Sequence, residues 1–240
     1  MLALTACHHE LADVDGIFDD GSGQKVHCAV NLDGSADNSL GSVDGALDRA
    51  ADRGEILELY AHHPGVTVST TTIDHVLAGA ASRGLAFVQY RDFANGTAHG
   101  PGLALSFDDT SITAWFDTMP LFAQYGAKVT FFVSRFEFIS DAERAQLHAL
   151  AAAGQDIEAH SVLHLRAPEY VEQNGLGAYL DKEAQPSIDL LAADGFDVVA
   201  YAYPFGSRTG QLDHAMLERV AVVRSVAFPW SDGVASPCPR

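Results

Sequence analysis

Two adjacent carboxylates close an apolar run at residues 103–110, L-A-L-S-F-D-D-T, and an H-x-x-x-H pair stands further on at His160 and His164. Leu103, Leu105 and Phe107 alternate with small residues just after Pro101 and Gly102, the pattern of a short buried strand. Asp108 and Asp109 therefore fall where that strand stops. Neighbouring side chains at a strand end point apart, so one carboxylate can hold a cation while the other takes a proton. Taken alone, F-D-D equally suits a helix N-cap or the start of a solvated loop. The two imidazoles share one face if their segment is helical, and such a pair suits a divalent metal, although H-x-x-x-H by itself is more often structural. With an aspartate pair on a neighbouring strand end, the metal reading is favoured. Asp109, His160 and His164 would be the ligands, with positions left for water, and Asp108 the base. Imidazole plus one carboxylate makes zinc the first choice, with iron, cobalt and nickel as alternatives. The chemistry would be hydrolysis, in which the metal acidifies a bound water and polarises a carbonyl.

These residues can meet only if the chain brings distant segments to one rim. Strand patterns occur at residues 26–32, 55–61, 85–90, 103–110, 127–133, 155–159, 196–201 and 222–227, nearly all separated by helical patterns. The exception is residues 91–102, R-D-F-A-N-G-T-A-H-G-P-G, which carry turn residues and no convincing helix. Strand and helix in alternation predict an α/β fold, a (β/α)7-8 barrel of distorted TIM-like form, with active groups at the carboxyl ends of its strands. That rim would collect Asp33, His62, Asp108, Asp109, His160 and the residues Tyr203, Pro204 and Phe205.

A formal net charge of −18 over 240 residues argues against nucleic acid, which needs Lys and Arg to displace its counterions. No window of 18 apolar residues spans a bilayer. The opening M-L-A-L-T-A-C looks like the tail of a bacterial lipoprotein signal, with Cys7 as the lipidated residue and a polar tether behind it. Residues 1–24 are accordingly assigned to signal remnant and linker, and residues 25–240 to the barrel. The Asp and Gly residues between 13 and 21 lack the ligand spacing of a calcium loop and belong to that linker. This reading places the protein in the cell envelope or outside the cell, with possible membrane attachment through Cys7. Cys28 and Cys238 then form an even pair, to be read as a bridge or as two unrelated buried thiols.

The residues also resemble a family, the polysaccharide deacetylases of carbohydrate esterase family 4. S-F-D-D-T at 106–110 is similar to its first motif, H-S-V-L-H at 160–164 to its second, and Y-A-Y-P-F-G at 201–206 to the aromatic form of its third. The resemblance implies Asp108 as general base, Asp109, His160 and His164 as metal ligands, and the Phe205 N–H as an oxyanion donor. Too few residues follow the third motif to hold the family's last elements. E-I-L-E-L-Y-A-H-H-P at 55–64, followed by a helix and residues 84–90, is similar to that ending placed first. A circular permutation of the deacetylase barrel is therefore expected, with residues 91–102 as the splice. It would make His62 the general acid, Asp33 the acidic residue that tunes it, and His63 the rival.

Two departures stand out: Thr110 replaces a Gly, and Ala202 stands where many members have an Arg on the base, leaving Arg224, Arg208 or Arg166 as substitutes. Tyr203, Pro204 and Phe205, with Trp230 beyond them, are the residues expected to face substrate. The function implied is metal-dependent removal of N-acetyl groups from an N-acetylglucosamine-type glycan, with release of acetate. No protein partner is predicted. The rival readings are a glycan-binding barrel without catalysis and a hydrolase of small amides or esters.

Overall fold

The computed structural model describes residues 10–228 and Cys238. Cys7 and Trp230 lie outside the described residues.

Seven apolar segments form parallel strands: β1 (Val26–Asn31), β2 (Ile56–Ala61), β3 (Gly102–Asp109), β4 (Thr130–Val133), β5 (Asp156–Ala159), β6 (Ala200–Ala202) and β7 (Val222–Ala227). They pair in chain order, and β7 returns to β1 from Val26↔Val223 to Val30↔Ala227, so the sheet closes on itself. The outer faces of the strands (Leu57, Leu59, Leu103, Leu105, Phe107, Phe131, Val133) pack beneath a ring of helices. Those include α1 (Leu40–Arg53), α2 (Thr70–Ser82), α4 (Ile112–Asp117), α5 (Met119–Tyr125) and α6 (Asp141–Ala152). Alternate residues point inward: Ile56, Ala104, Phe132, Ala200, Ala202 and Val222 form a second cluster inside the barrel.

The strand expected over 85–90 shrinks to Ala86–Phe87, which is why the barrel has seven strands. β4 begins opposite Ser106, and below that point the edge of β3 is open, so Ala86 and Phe87 pair there with Gly102 and Leu103. A short helix, α3 (Tyr90–Asn95), opens the segment expected to lack one. The Asp92 carboxylate accepts from the Gln89 N–H at 2.8 Å, and Gly96 ends the helix in a left-handed conformation. This helix plugs the end of the barrel opposite the rim. Tyr90 packs on Phe132 at 5.0 Å between ring centroids and donates its hydroxyl to Glu58 Oε2 at 2.7 Å, while Glu58 Oε1 meets His27 Nδ1 at 3.0 Å.

The segment expected as a free tether also differs from Glu10 onward. Leu11 and Ile17 are fully buried, and Phe18–Asp19 pairs antiparallel with Leu57 and Ile56. Arg49 fixes it, bonding Asp15 Oδ1 and the Ala12 carbonyl, both at 2.8 Å, and covering the Phe18 ring. Apolar residues at 11, 14, 17 and 18 bury enough surface to hold this piece against the barrel despite its polar composition. Cys28 in β1 and Cys238 form a disulfide. Among the described residues, no helix is long and apolar enough to cross a membrane.

Candidate active site

Because β3 stops at the rim, its last two side chains part as the strand alternation requires. Asp108 is buried, whereas the Asp109 side chain is 39% exposed. Asp109 turns out through a left-handed backbone (φ 83), and its carbonyl accepts from the Ser134 N–H at 3.0 Å. His160 follows β5 and is buried; its Nδ1–H donates to the Ala202 carbonyl at 2.8 Å, which leaves Nε2 as the free lone pair. Burial, then the neighbouring His164, pushes the His160 imidazole down to about 3, so it is neutral.

Residues 160–164 are not helical. His164 reaches His160 through left-handed Ser161 (φ 67) and His164 (φ 61), with its N–H bonded to Ser161 Oγ at 2.9 Å. The result is a compact cluster. His164 Nε2 lies 3.2 Å and His160 Nε2 3.7 Å from Asp109 Oδ1, and one ligand atom from each residue falls within 4.8 Å of the others. Around a tetrahedral ion with bonds of about 2.0–2.2 Å, donors stand roughly 3.4 Å apart, so two imidazoles and one carboxylate at this spacing fit a divalent transition metal.

Asp108 lies beside the cluster, 4.0 Å from His160 Nε2. The Arg224 guanidinium, fully buried in β7, is ion-paired with Asp108 Oδ2 and sits between the rings of Tyr60 and Phe132 at 4.8 and 5.1 Å. Among the described residues, buried Asp108 Oδ1 has no hydrogen-bond partner. Of the three candidate arginines, Arg224 is therefore the one that reaches Asp108. Arg208 pairs with Asp213, and Arg166 bonds Ser207 and covers the Phe205 ring.

His62 follows β2 one step past the pair Ala61↔Phe107, level with Asp108 across the strand pair. Its Nδ1 is bonded to Asp33 Oδ2, while Asp33 Oδ1 accepts from the His62 N–H at 3.2 Å and the Thr67 hydroxyl at 2.8 Å. The Trp115 indole N–H holds the His62 carbonyl at 2.8 Å. Burial pulls the His62 imidazole down, but the Asp33 hydrogen bond and the charges of Asp108, Asp33 and Asp109 outweigh it and raise its pKa above the ordinary value. Burial acts on Asp33 in the opposite sense and loses to the same hydrogen bond, so that carboxyl is lowered. His63 has no carboxylate partner among the described residues; it lines an outer cleft with Pro64, Thr70, Asp74 and Asp117.

A family profile described as polysaccharide deacetylase matches residues 95–219, just over half of the chain. The chain belongs to the polysaccharide deacetylase family. No curated protein sequence matches it. Among solved structures the deacetylase barrel is similar to the Streptococcus pyogenes deacetylase PplD in complex with acetate, at 19% identity, with 72% of this chain and 92% of that chain covered and a TM-score of 0.53. It is similar also to IcaB from Ammonifex degensii, at 17% identity over 70% and 84% of the two chains with a TM-score of 0.54. The BpsB deacetylase domain from Bordetella bronchiseptica aligns at 15% identity over 89% and 97%, with a TM-score of 0.51. At these identities the likeness is one of fold. Family membership supports a hydrolase that deacetylates a polysaccharide.

The third deacetylase motif is only partly available to a ligand. Tyr203 and Pro204 are buried, Tyr203 against Tyr201 at 5.6 Å between centroids, and neither offers a face to substrate. Phe205 is 45% exposed, in a left-handed conformation (φ 58), with its ring 4.6 Å from that of His164. Thr67, Trp115 and Arg135 at this rim carried no signal in the sequence, because each reaches the site from a loop or helix whose inward face no local pattern marks.

Proposed function

We propose that this protein hydrolyses N-acetyl groups on a polysaccharide or oligosaccharide of the N-acetylglucosamine type, in a metal-dependent reaction that releases acetate. The observation that carries this reading is the convergence of Asp109, His160 and His164 beside Asp108. A divalent ion held by those three side chains, zinc in first place, would acidify a water and polarise the acetamide carbonyl. Arg224 occupies Asp108 Oδ2, so Oδ1 is the oxygen that takes the proton of the attacking water. Asp33 occupies His62 Nδ1, so Nε2 of the protonated ring gives its proton to the leaving amine. The Phe205 backbone N–H is the donor assigned to the developing oxyanion.

We read the chain order as permuted, and that reading brings His62 to its proposed role. The family profile begins at residue 95, while β1 and β2, which carry Asp33 and His62 at their ends, precede it in the chain and lie between β7 and β3 in the barrel. Anchoring to the cell envelope through lipidated Cys7 is part of the same proposal, and the Cys28–Cys238 disulfide is in keeping with an oxidising compartment.

The Asp109→Ala variant tests the scheme. It should bind no stoichiometric metal and release no acetate from N-acetylglucosamine oligomers, with an unchanged circular dichroism spectrum. Full turnover by that variant would reject the proposal, and metal and glycan binding by the unaltered protein without any acetate would identify a binding barrel instead.

A further inference from the structure

Arg135, the second residue after β4, adopts φ 53 and ψ 32, a left-handed conformation that costs a side-chain-bearing residue roughly 1–2 kcal/mol and glycine almost nothing. Its N–H bonds the Ser161 carbonyl at 3.2 Å, tying the loop after β4 to the loop that carries the histidines. Glycine would make the same turn, so what arginine adds here is its side chain. With Asp109, Thr110, Ser134 and His164, Arg135 lines a cavity of about 140 Å³ that opens beside the metal cluster.

Basic residues are scarce in this protein, with 14 Lys and Arg against 32 Asp and Glu. Arg91, Arg144, Arg208 and Arg224 each hold a carboxylate. The exposed Arg135 guanidinium has no such salt bridge among the described residues. A cation left without a salt bridge in a strongly acidic chain, set beside two hydroxyls and the cluster, is suited to a small oxyanion through charge-assisted, bidentate hydrogen bonds.

We propose that Arg135, with the Ser134 and Thr110 hydroxyls, forms an anion subsite that selects glycans bearing a carboxylate or phosphate on the acetylated sugar or its neighbour. The inference rests on the deacetylase reading, whose substrate class it narrows. Binding of N-acetylmuramic acid, N-acetylglucosamine 6-phosphate and neutral N-acetylglucosamine to the unaltered protein and to Arg135→Gln and Arg135→Lys tests it, with acetate release from neutral and muramic-acid-containing glycan strands measured in parallel. The unaltered protein should bind at least one anionic sugar about tenfold more tightly than the neutral one at low salt, a preference that high salt weakens. Whichever of the two binds identifies the source of the anion. Arg135→Gln should abolish the preference, and Arg135→Lys should retain part of it. Equal binding of all three sugars by the unaltered protein, or a preference that survives Arg135→Gln, would overturn the subsite. Absence of acetate from every strand would instead overturn the deacetylase reading and leave the binding result standing.

Discussion

Asp33 is not among the residues of the proposed metal cluster, yet it sets the state of His62. By holding Nδ1 it leaves Nε2 for the proposed proton transfer, and its hydrogen bond, with the charges of Asp108, Asp33 and Asp109, raises the pKa of the ring above that of an ordinary histidine. A general acid works only while protonated, so activity should persist below the pKa of His62 and fall as pH rises through it. Asp33→Asn weakens the hydrogen bond and removes one of the three charges that raise this value, and the alkaline limb of the pH profile of acetate release should move to lower pH. His63→Gln should leave that limb where it is; an Asp33→Asn profile that does not move would assign the acid elsewhere. At this scale the sequence exposed Asp108, Asp109, His160 and His164, because paired carboxylates and spaced imidazoles are recognisable by type alone. It misplaced the means by which the histidines meet, since two left-handed residues do the work expected of a helical turn. It also left Arg224 as one of three arginines, because only the closed barrel shows which one points inward.

Among the elements, the loop after β6 is the most tightly constrained. Gly206 has φ 63, and a Cβ there would lie 2.3 Å from Val226 Cγ2 and 2.7 Å from the Val226 backbone nitrogen. The loop therefore lies directly on β7, and that contact sets Phe205 in its left-handed conformation at the rim. Gly206→Ala combines overpacking of about 1–3 kcal/mol with backbone strain of roughly 1–2 kcal/mol. Denaturant titration should show a loss on that scale, and acetate release should fall roughly 100-fold as the oxyanion donor shifts. Strands with strong apolar alternation were legible from composition. Helix α3 was not, because it spans only Tyr90–Asn95 and its start is signalled by a single Gln-x-x-Asp pair amid turn-forming residues. The short strands at Phe18–Asp19 and Ala86–Phe87 exist only to fill gaps where barrel strands diverge, a requirement set by tertiary structure.

For the whole molecule, the disulfide links β1 to a position 210 residues away. Constraining a loop that long removes much unfolded-state freedom, and the Cys28→Ser, Cys238→Ser double variant should lose about 2–4 kcal/mol. Its melting temperature should drop by roughly 5–15 °C, read by differential scanning calorimetry under non-reducing conditions. The barrel as a whole was foreseeable because strand and helix alternate along nearly the entire chain. How the piece from Glu10 to Asp19 docks was not, since its apolar residues are too few to show a period.

Closure by β7 on β1 also makes the wall depend on the far end of the chain. One edge of β1 lies on β2, close by in sequence, but its other edge is covered only by residues 222–227, nearly two hundred positions on. Cys238 follows that last strand, so its bond to Cys28 ties together the two ends of the closed circuit. The disulfide is a latch on the ring, and a chain without its final strand would carry every group of the proposed metal cluster and still have no closed wall to hold them.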